Sequence, residues 1–222
     1  MKKIVAIIPA SGKGSRFGTS VPKQLHKIGN KLVIFKTLEI FNLNDIQKIY
    51  LTVNENILKN LLPLEKNINN KVEILLAGGK TRSETILNTL DRLANDLADD
   101  DWVIVHDAVR PFLDQKQLIE FIKVAKQSID GAVMAIPATD TIKEVDDNLN
   151  IKNTLDRTKL WRAQTPQMFP YGLLKNALKN FEGIPTDESQ AMEMQGHNPK
   201  IVLGDNDNIK ITYPEDLKIK CK

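Results

Sequence analysis

Five short apolar runs, Ile4 to Ile8, Ile49 to Val53, Val72 to Leu76, Trp102 to Val105 and Ala132 to Ile136, punctuate the first two thirds of the chain. Each has the length and β-branched content of a strand, and a run that is apolar at nearly every position reads as a strand covered on both faces. Between the runs lie segments near 33–42, 55–62, 82–98 and 115–129 in which apolar residues recur three or four apart, as in Ile86, Leu87, Leu90 and Leu93. That is the period of an amphipathic helix. Strands alternating with helices build an α/β fold, here an open, doubly wound, mostly parallel sheet, and such a sheet binds ligands at the carboxyl ends of its strands.

The rhythm breaks between about 138 and 160. Thr139 to Val145 and Ile151 to Leu155 flank a polar tip, Asp146-Asp147-Asn148-Leu149-Asn150, which reads as a hairpin. Helical pattern resumes at Tyr171 to Phe181 and near 187–195, and a last strand is expected at Lys200 to Leu203, so the hairpin is an insertion. An isolated two-stranded hairpin is marginal in water, so a second chain is expected to pack on it. The expectation is one domain over 1–222 with this arm inserted. A chain of 222 residues, 41% apolar and 27% charged, is close to globular averages of roughly 45–50% and about 25%, which excludes disorder and collagen. Its formal charge of +3 is too small for a nucleic-acid-tracking surface. The single cysteine, Cys221, suits a reducing compartment, and with no export signal or spanning segment in the sequence the expected location is cytoplasmic.

The first strand runs into Pro9-Ala10-Ser11-Gly12-Lys13-Gly14-Ser15-Arg16-Phe17-Gly18. Glycines let backbone N–H groups approach a phosphate closely. Two familiar phosphate loops do not fit: Phe17 stands where the dinucleotide fingerprint needs its third glycine, and no lysine follows Gly18 as a Walker A loop requires. The loop instead carries cations, Lys13 and Arg16, with Lys23 following in Val21-Pro22-Lys23-Gln24. This composition suits a nucleoside triphosphate attacked at its α-phosphorus, where charge builds on non-bridging oxygens and on departing pyrophosphate. Arg16 and Lys23 are placed to hold that charge. A plain turn with solvated cations is the competing reading of the loop alone.

The stretch Ile8 to Arg16 with Pro22-Lys23-Gln24 resembles the opening of the cytidylyltransferases that act on polyol phosphates, above all the 2-C-methyl-D-erythritol 4-phosphate cytidylyltransferase family. Further blocks resemble that family in order and spacing: Gly78 to Thr85, His106 to Pro111, Asp140 to Lys143, Leu155 to Arg157, Gln164 to Gln167, Thr186 to Ser189 and Asn208 to Lys210. The resemblance covers residues 4 to about 217. It implies a Rossmann-like nucleotidyltransferase fold and an enzyme that moves the cytidylyl group of CTP onto methylerythritol 4-phosphate, releasing pyrophosphate, in the non-mevalonate route to isoprenoids.

Residue roles follow from the same resemblance. Arg16, Lys23 and Lys210 become the catalytic charge stabilisers. Ala10, Ser11, Gly12, Gly14, Gly78, Gly79 and the hydroxyl of Thr85 bind the nucleotide. Thr85 departs from the family's usual serine, and threonine keeps the same donor and acceptor. Asp107, Arg110, Thr141, Arg157, Thr165 and Thr186 bind the polyol phosphate, with Thr141, Arg157 and Thr165 reaching it across a homodimer interface formed by the arm. Asp107 and Arg110 also read as an ion pair, and Thr186-Asp187-Glu188 as an ordinary helix N-cap. His106 is read as structural, because a phosphate monoester needs no general base to attack. Mg²⁺ is expected on triphosphate oxygens, with no metal cage built by protein side chains. Neither a nucleic acid nor a membrane is an expected partner.

Three other readings compete. Ribitol 5-phosphate cytidylyltransferases share the first loop and Thr165-Pro166-Gln167, but the Asp140 to Lys143 and Leu155 to Arg157 blocks are closer to the methylerythritol enzymes. A nicotinamide-dependent oxidoreductase is opposed by Phe17. A catalytically silent nucleotide-binding regulator has no reason to keep Arg16, Lys23, Arg157 and Lys210 together.

Overall fold

The computed structural model describes residues 2–12, 17–19, 21–61 and 69–218. Its strands and helices run in the order β1 (Ile4–Pro9), β2 (Lys27–Ile28), β3 (Lys31–Leu32), α1 (Val33–Ile40), β4 (Lys48–Val53), α2 (Glu55–Leu61), β5 (Val72–Leu76), α3 (Arg82–Arg92) and β6 (Trp102–Val105). There follow α4 (Gln115–Ala125), β7 (Ala132–Pro137), β8 (Ile142–Val145), β9 (Ile151–Leu155), β10 (Trp161–Pro170), α5 (Tyr171–Lys179), α6 (Glu188–Met194) and β11 (Lys200–Leu203).

Seven strands form one sheet in the order β11-β7-β10-β6-β1-β4-β5. All neighbours are parallel except those of β10, which runs antiparallel to both β6 and β7. Alternate residues of each central strand feed opposite layers. On β1, Ile4, Ala6 and Ile8 face the layer that holds Ile34 and Leu38 of α1, Ile57 of α2, and Leu118, Phe121 and Ile122 of α4. Val5 and Ile7 face the layer that holds Ile86 and Leu90 of α3, Leu174 and Leu178 of α5, and Met192 of α6. Both faces are therefore closed by helices, which is why these strands read as unbroken apolar runs.

β10 is the element that the sequence pattern hides. Trp161–Pro170 carries two prolines and the polar Arg162, Gln164, Thr165 and Gln167, so no strand period shows. Arg162 stays exposed, but Gln164, Thr165 and Gln167 are buried and paired: Gln164 Nε2 donates to the Asp205 carbonyl at 2.9 Å and Gln167 Nε2 to Asp187 at 2.9 Å. The register against β7 shifts between Ala163 and Gln167. The second unannounced element is the small β2–β3 hairpin, turned by Gly29 at φ 66°.

β8 and β9 pair antiparallel as a separate two-stranded sheet projecting from the ends of β7 and β10. Asp146 organises the tip by accepting the backbone N–H groups of Asn148 and Asn150 at 2.9 and 2.8 Å. Every residue of β9 is exposed, and Val145, Leu149, Ile151 and Leu155 present apolar surface that nothing in this chain covers among the described residues.

Candidate active site

β1 lies between β4 and β6, so the chain leaves it toward one edge of the sheet and later returns on the other side. That reversal of strand order opens a crevice at the strands' carboxyl ends. A cavity of about 660 Å³ sits there, lined by Pro9 to Gly12, Lys23, Gln24, Asn54, the turn from Gly79 to Arg82, Asp107 to Val109 and Lys210.

One wall is the loop after β1. Gln24, 2% exposed on a short 3₁₀ turn, donates from Nε2 to the carbonyls of Ala10 at 2.8 Å and Gly12 at 3.1 Å. Asn54 Nδ2 takes the carbonyl of Ser11 at 2.7 Å, while its Oδ1 accepts the N–H of Ile57 at the start of α2. Three successive carbonyls that would repel a phosphate are thereby engaged within the protein.

The Gly78-Gly79 turn packs on this loop without a gap. A Cβ on Gly78 would lie 2.7 Å from Ser11 Cβ and 3.0 Å from the Val53 carbonyl, so only glycine fits. Thr85, wholly buried on α3, joins the two walls: its hydroxyl lies 2.7 Å from Ser11 Oγ, accepts the Gly79 N–H at 3.0 Å and donates to the Thr81 carbonyl at 2.8 Å. Its one proton and both lone pairs are therefore committed to the protein.

The facing wall starts where β6 ends. Asp107 accepts from Arg82 Nε at 2.8 Å on Oδ1, and from Lys210 Nζ at 3.0 Å and Arg110 Nε at 3.3 Å on Oδ2. Burial alone would raise this carboxyl, but Arg82, Lys210 and Arg110 more than offset it and hold it well below the usual carboxylate range. Lys210 arrives from the far end of the chain, whose backbone is clipped down by Ile211 N–H to the Val109 carbonyl at 2.9 Å. Lys23 Nζ donates to the Ile211 carbonyl at 2.9 Å, so both lysines sit at this junction.

Behind Asp107, a neutral histidine closes the network. Burial lowers the His106 pKa to about 4. The Arg110 carbonyl can only accept, so Nε2, 3.1 Å away, carries the proton. Nδ1 then accepts from Thr165 Oγ1 at 3.1 Å, and Thr165 in turn accepts the Asp107 N–H at 3.0 Å. Every polar atom of the His106 ring is used within the protein.

Of the residues singled out in the sequence, Ala10, Ser11, Gly12, Lys23, Gly79, Asp107 and Lys210 line the cavity. Gly78, Thr85, Arg110 and Thr165 lie just behind its walls. Arg110 ties Asp107 to the C-terminal segment through Nη1 and the Asn208 carbonyl at 2.7 Å. Thr141 and Arg157 are exposed at the foot of the arm, where Arg157 Nη1 donates to the Thr139 carbonyl. Thr186 sits outside the cavity before α6; Asp187 caps that helix by accepting the Gln190 N–H at 2.9 Å, and Gln190 Oε1 receives the Thr186 N–H at 2.7 Å. Gly14, Arg16 and Cys221 lie outside the described residues.

Sequence reasoning assigned no role to Gln24, Asn54, Arg82 or Glu188. Arg82 stands within the Gly78 to Thr85 block, which was its only sequence signal. Glu188 likewise stands within the Thr186 to Ser189 block, but nothing local announces its burial, because Thr186-Asp187-Glu188 reads as a helix start on a surface.

A model of the family "IspD: 2-C-methyl-D-erythritol 4-phosphate cytidylyltransferase" matches residues 4–220. The chain belongs to that family. A 2-C-methyl-D-erythritol 4-phosphate cytidylyltransferase from Actinobacillus pleuropneumoniae serotype 7 is 42% identical, covering 98% of this chain and 94% of the relative. Among solved structures, a crystal structure of a 4-diphosphocytidyl-2C-methyl-D-erythritol synthase superposes with a TM-score of 0.83 at 33% identity, covering 98% of this chain and 96% of the other. The Francisella tularensis 2-C-methyl-D-erythritol 4-phosphate cytidylyltransferase superposes at 0.80 and 32% identity, with 97% of each chain covered. Similarity over the whole length makes this chain a nucleotidyltransferase of the 2-C-methyl-D-erythritol 4-phosphate cytidylyltransferase family, with the family's α/β fold.

Proposed function

We propose that the protein transfers the cytidylyl group of CTP to 2-C-methyl-D-erythritol 4-phosphate, giving 4-diphosphocytidyl-2-C-methyl-D-erythritol and pyrophosphate for isoprenoid synthesis by the non-mevalonate pathway. The observation that carries this reading is the convergence, in one cavity, of the Ala10 to Gly12 loop, the Gly79 turn, Lys23, Lys210 and Asp107 from distant parts of the chain.

An oxygen of the acceptor's 4-phosphate attacks the α-phosphorus of CTP, the bond to the bridging α–β oxygen breaks, and pyrophosphate leaves with that electron pair. The attacking oxygen is already anionic, so no side chain has to remove a proton. Protein groups contribute by binding and by holding charge. The first loop and the Gly78-Gly79 turn cradle the nucleotide, with Gly14 contributing to the loop. Thr85 acts on base recognition by fixing Ser11 and Gly79 in place. Arg16, Lys23 and Lys210 stabilise the charge that grows on the triphosphate.

We assign the acceptor to the Asp107 wall, which Arg110 and Thr165 fix from behind, and to Thr141, Arg157 and Thr186. Because Thr141 and Arg157 lie on the exposed arm, we assign the arm to a second copy of the chain: 1–222 forms one catalytic domain, and residues 138–160 complete the neighbouring site in a homodimer. The bare apolar residues of β8, β9 and the tip support this. The setting we assign is the cytoplasm; no helix among the described residues is long and apolar enough to cross a membrane.

A divalent cation, Mg²⁺, fits the donor set only as a companion of the nucleotide. Asp107 is the one carboxylate lining the cavity among the described residues, and both of its oxygens are engaged by cations. The triphosphate oxygens would therefore hold the ion, which would offset part of their negative charge.

The test is pyrophosphate release from CTP and Mg²⁺ with methylerythritol 4-phosphate, beside ribitol 5-phosphate and beside UTP and ATP. Release with the first pair alone is expected. Release with ribitol 5-phosphate instead would keep the chemistry and change the pathway, and CTP binding with no release in any well would make the chain a regulator.

A further inference from the structure

Glu188, the first residue of α6, has no exposed surface and does not line the cavity, yet it ends a row of charges that does reach it. Glu188 Oε1 accepts from Arg82 Nη1 at 2.5 Å, Arg82 Nε donates to Asp107 Oδ1 at 2.8 Å, and Asp107 Oδ2 accepts from Lys210 Nζ at 3.0 Å. A buried ion pair recovers its desolvation cost only when its remaining polar atoms are also bonded. Here Glu188 Oε2 and Arg82 Nη2 are buried with no protein hydrogen-bond partner among the described residues. Neutral side chains would fill the same space at less cost, so the pair's contribution lies beyond its own contact.

The geometry shows what that contribution is. Arg82 and Lys210 reach Asp107 through different oxygens, so Arg82 confines Lys210 to Oδ2. Glu188 holds the Nη1 corner of the guanidinium, which keeps Nε turned toward Asp107 and keeps Arg82 from swinging out to a phosphate. Glu188 and Asp107 bring two negative charges and Arg82, Arg110 and Lys210 three positive ones, leaving a single positive charge. Without Arg82, Asp107 Oδ1 loses the cation that holds it, and the carboxylate is free to turn both oxygens to Lys210.

We propose that Glu188 and Arg82 are positioning residues for the transfer reaction: together they fix Asp107 so that Lys210 is held in the cavity with its charge available to the reacting phosphate. This rests on the reading of Lys210 given under the proposed function.

The Arg82→Met/Glu188→Gln double variant removes both charges at similar volume and is expected to fold like the wild type. Its kcat for pyrophosphate release at saturating CTP should fall about tenfold or more with little change in the acceptor's KM. In a Lys210→Ala background the same pair of changes should cause no further loss. A merely structural pair would lower the melting temperature and leave kcat per folded molecule unchanged, and losses additive with Lys210→Ala would equally overturn the proposal. Arg82→Lys, which keeps the charge and loses the fork, repeats the test if the double variant does not fold; the same fall in kcat is expected. A second readout does not depend on turnover: with lysines ¹³C-methylated, the resonance missing from Lys210→Ala should shift in the double variant. An unmoved resonance would sink the proposal, whereas a wild-type enzyme silent with every acceptor would sink the assigned reaction and leave this readout to decide.

Discussion

Lys210 and Thr85 act at the same site by different physics, and substitution separates them. Lys210 supplies charge to the cavity and anchors little of the fold, since its side chain is more than a third exposed. Lys210→Ala should therefore lower turnover by about 10²- to 10³-fold, the effect of losing one preorganised stabiliser, with the thermal transition nearly unchanged. Steady-state kinetics beside calorimetry checks this, and the same outcome is expected for Lys23→Ala. Thr85 contributes no charge; its hydroxyl ties Ser11 to Gly79 inside the protein. Thr85→Val leaves those partners buried and unpaired, at roughly 1–3 kcal/mol, and should raise the KM for CTP, whereas Thr85→Ser keeps the hydroxyl and most of the affinity. Denaturant titration with CTP-dependence measurements distinguishes the two variants. The value of Thr85 as a hydroxyl was legible in the sequence from the family's serine at this place. That its hydroxyl is spent on protein groups was not, because hydrogen-bond direction depends on neighbours far along the chain.

Two elements of similar size differ in what they need from outside. β10 is held on both edges, by β6 and β7, and its polar side chains are paired by residues from 187 and 205. It is stable where it lies. The β8–β9 arm has one pairing, to itself, and leaves Leu149 80% and Ile151 65% exposed. Two strands alone are marginal, and apolar surface of this kind is covered in a stable assembly. If the arm completes a neighbour's site, mixing inactive Lys210→Ala and Arg157→Ala preparations should restore about a quarter of wild-type activity, since random exchange makes half the dimers mixed and gives each mixed dimer one intact site. Persistent inactivity of the mixture after verified subunit exchange would place Arg157 in its own chain's site. The arm was legible as an insertion because its polar tip interrupts the βα rhythm. β10 was not, because its strand state comes from two neighbours already in place rather than from its own apolar period.

Across the whole molecule, two buried groups of the site, His106 and Asp107, lower the stability of the fold in acid. The folded-state pKa of His106 is about 4, below the roughly 6.5 of an unfolded histidine, so the unfolded chain binds the proton more readily. Stability from this group is complete above about pH 6.5 and falls as the pH drops toward 4, by about 2 kcal/mol at pH 5. Asp107, held well below the ordinary carboxylate range, adds a further loss only below about pH 4, where the unfolded carboxyl takes up its proton. Denaturation midpoints at pH 7 and pH 5 should differ accordingly in the wild type, and His106→Gln should flatten that difference while lowering stability at pH 7. What the sequence by itself determined is everything that local pattern and local chemistry can encode: five apolar runs, four of them buried on both faces and the edge strand β5 only partly, helical stripes, the glycine-rich loop, and an inserted hairpin. Only the tertiary structure decided that Glu188, Arg82, Asp107 and Lys210 form one row of charge ending in a cavity. They come from four separate segments of the chain, and whether a charged side chain meets water or another charge is settled by which surfaces the fold brings within about 3 Å of each other.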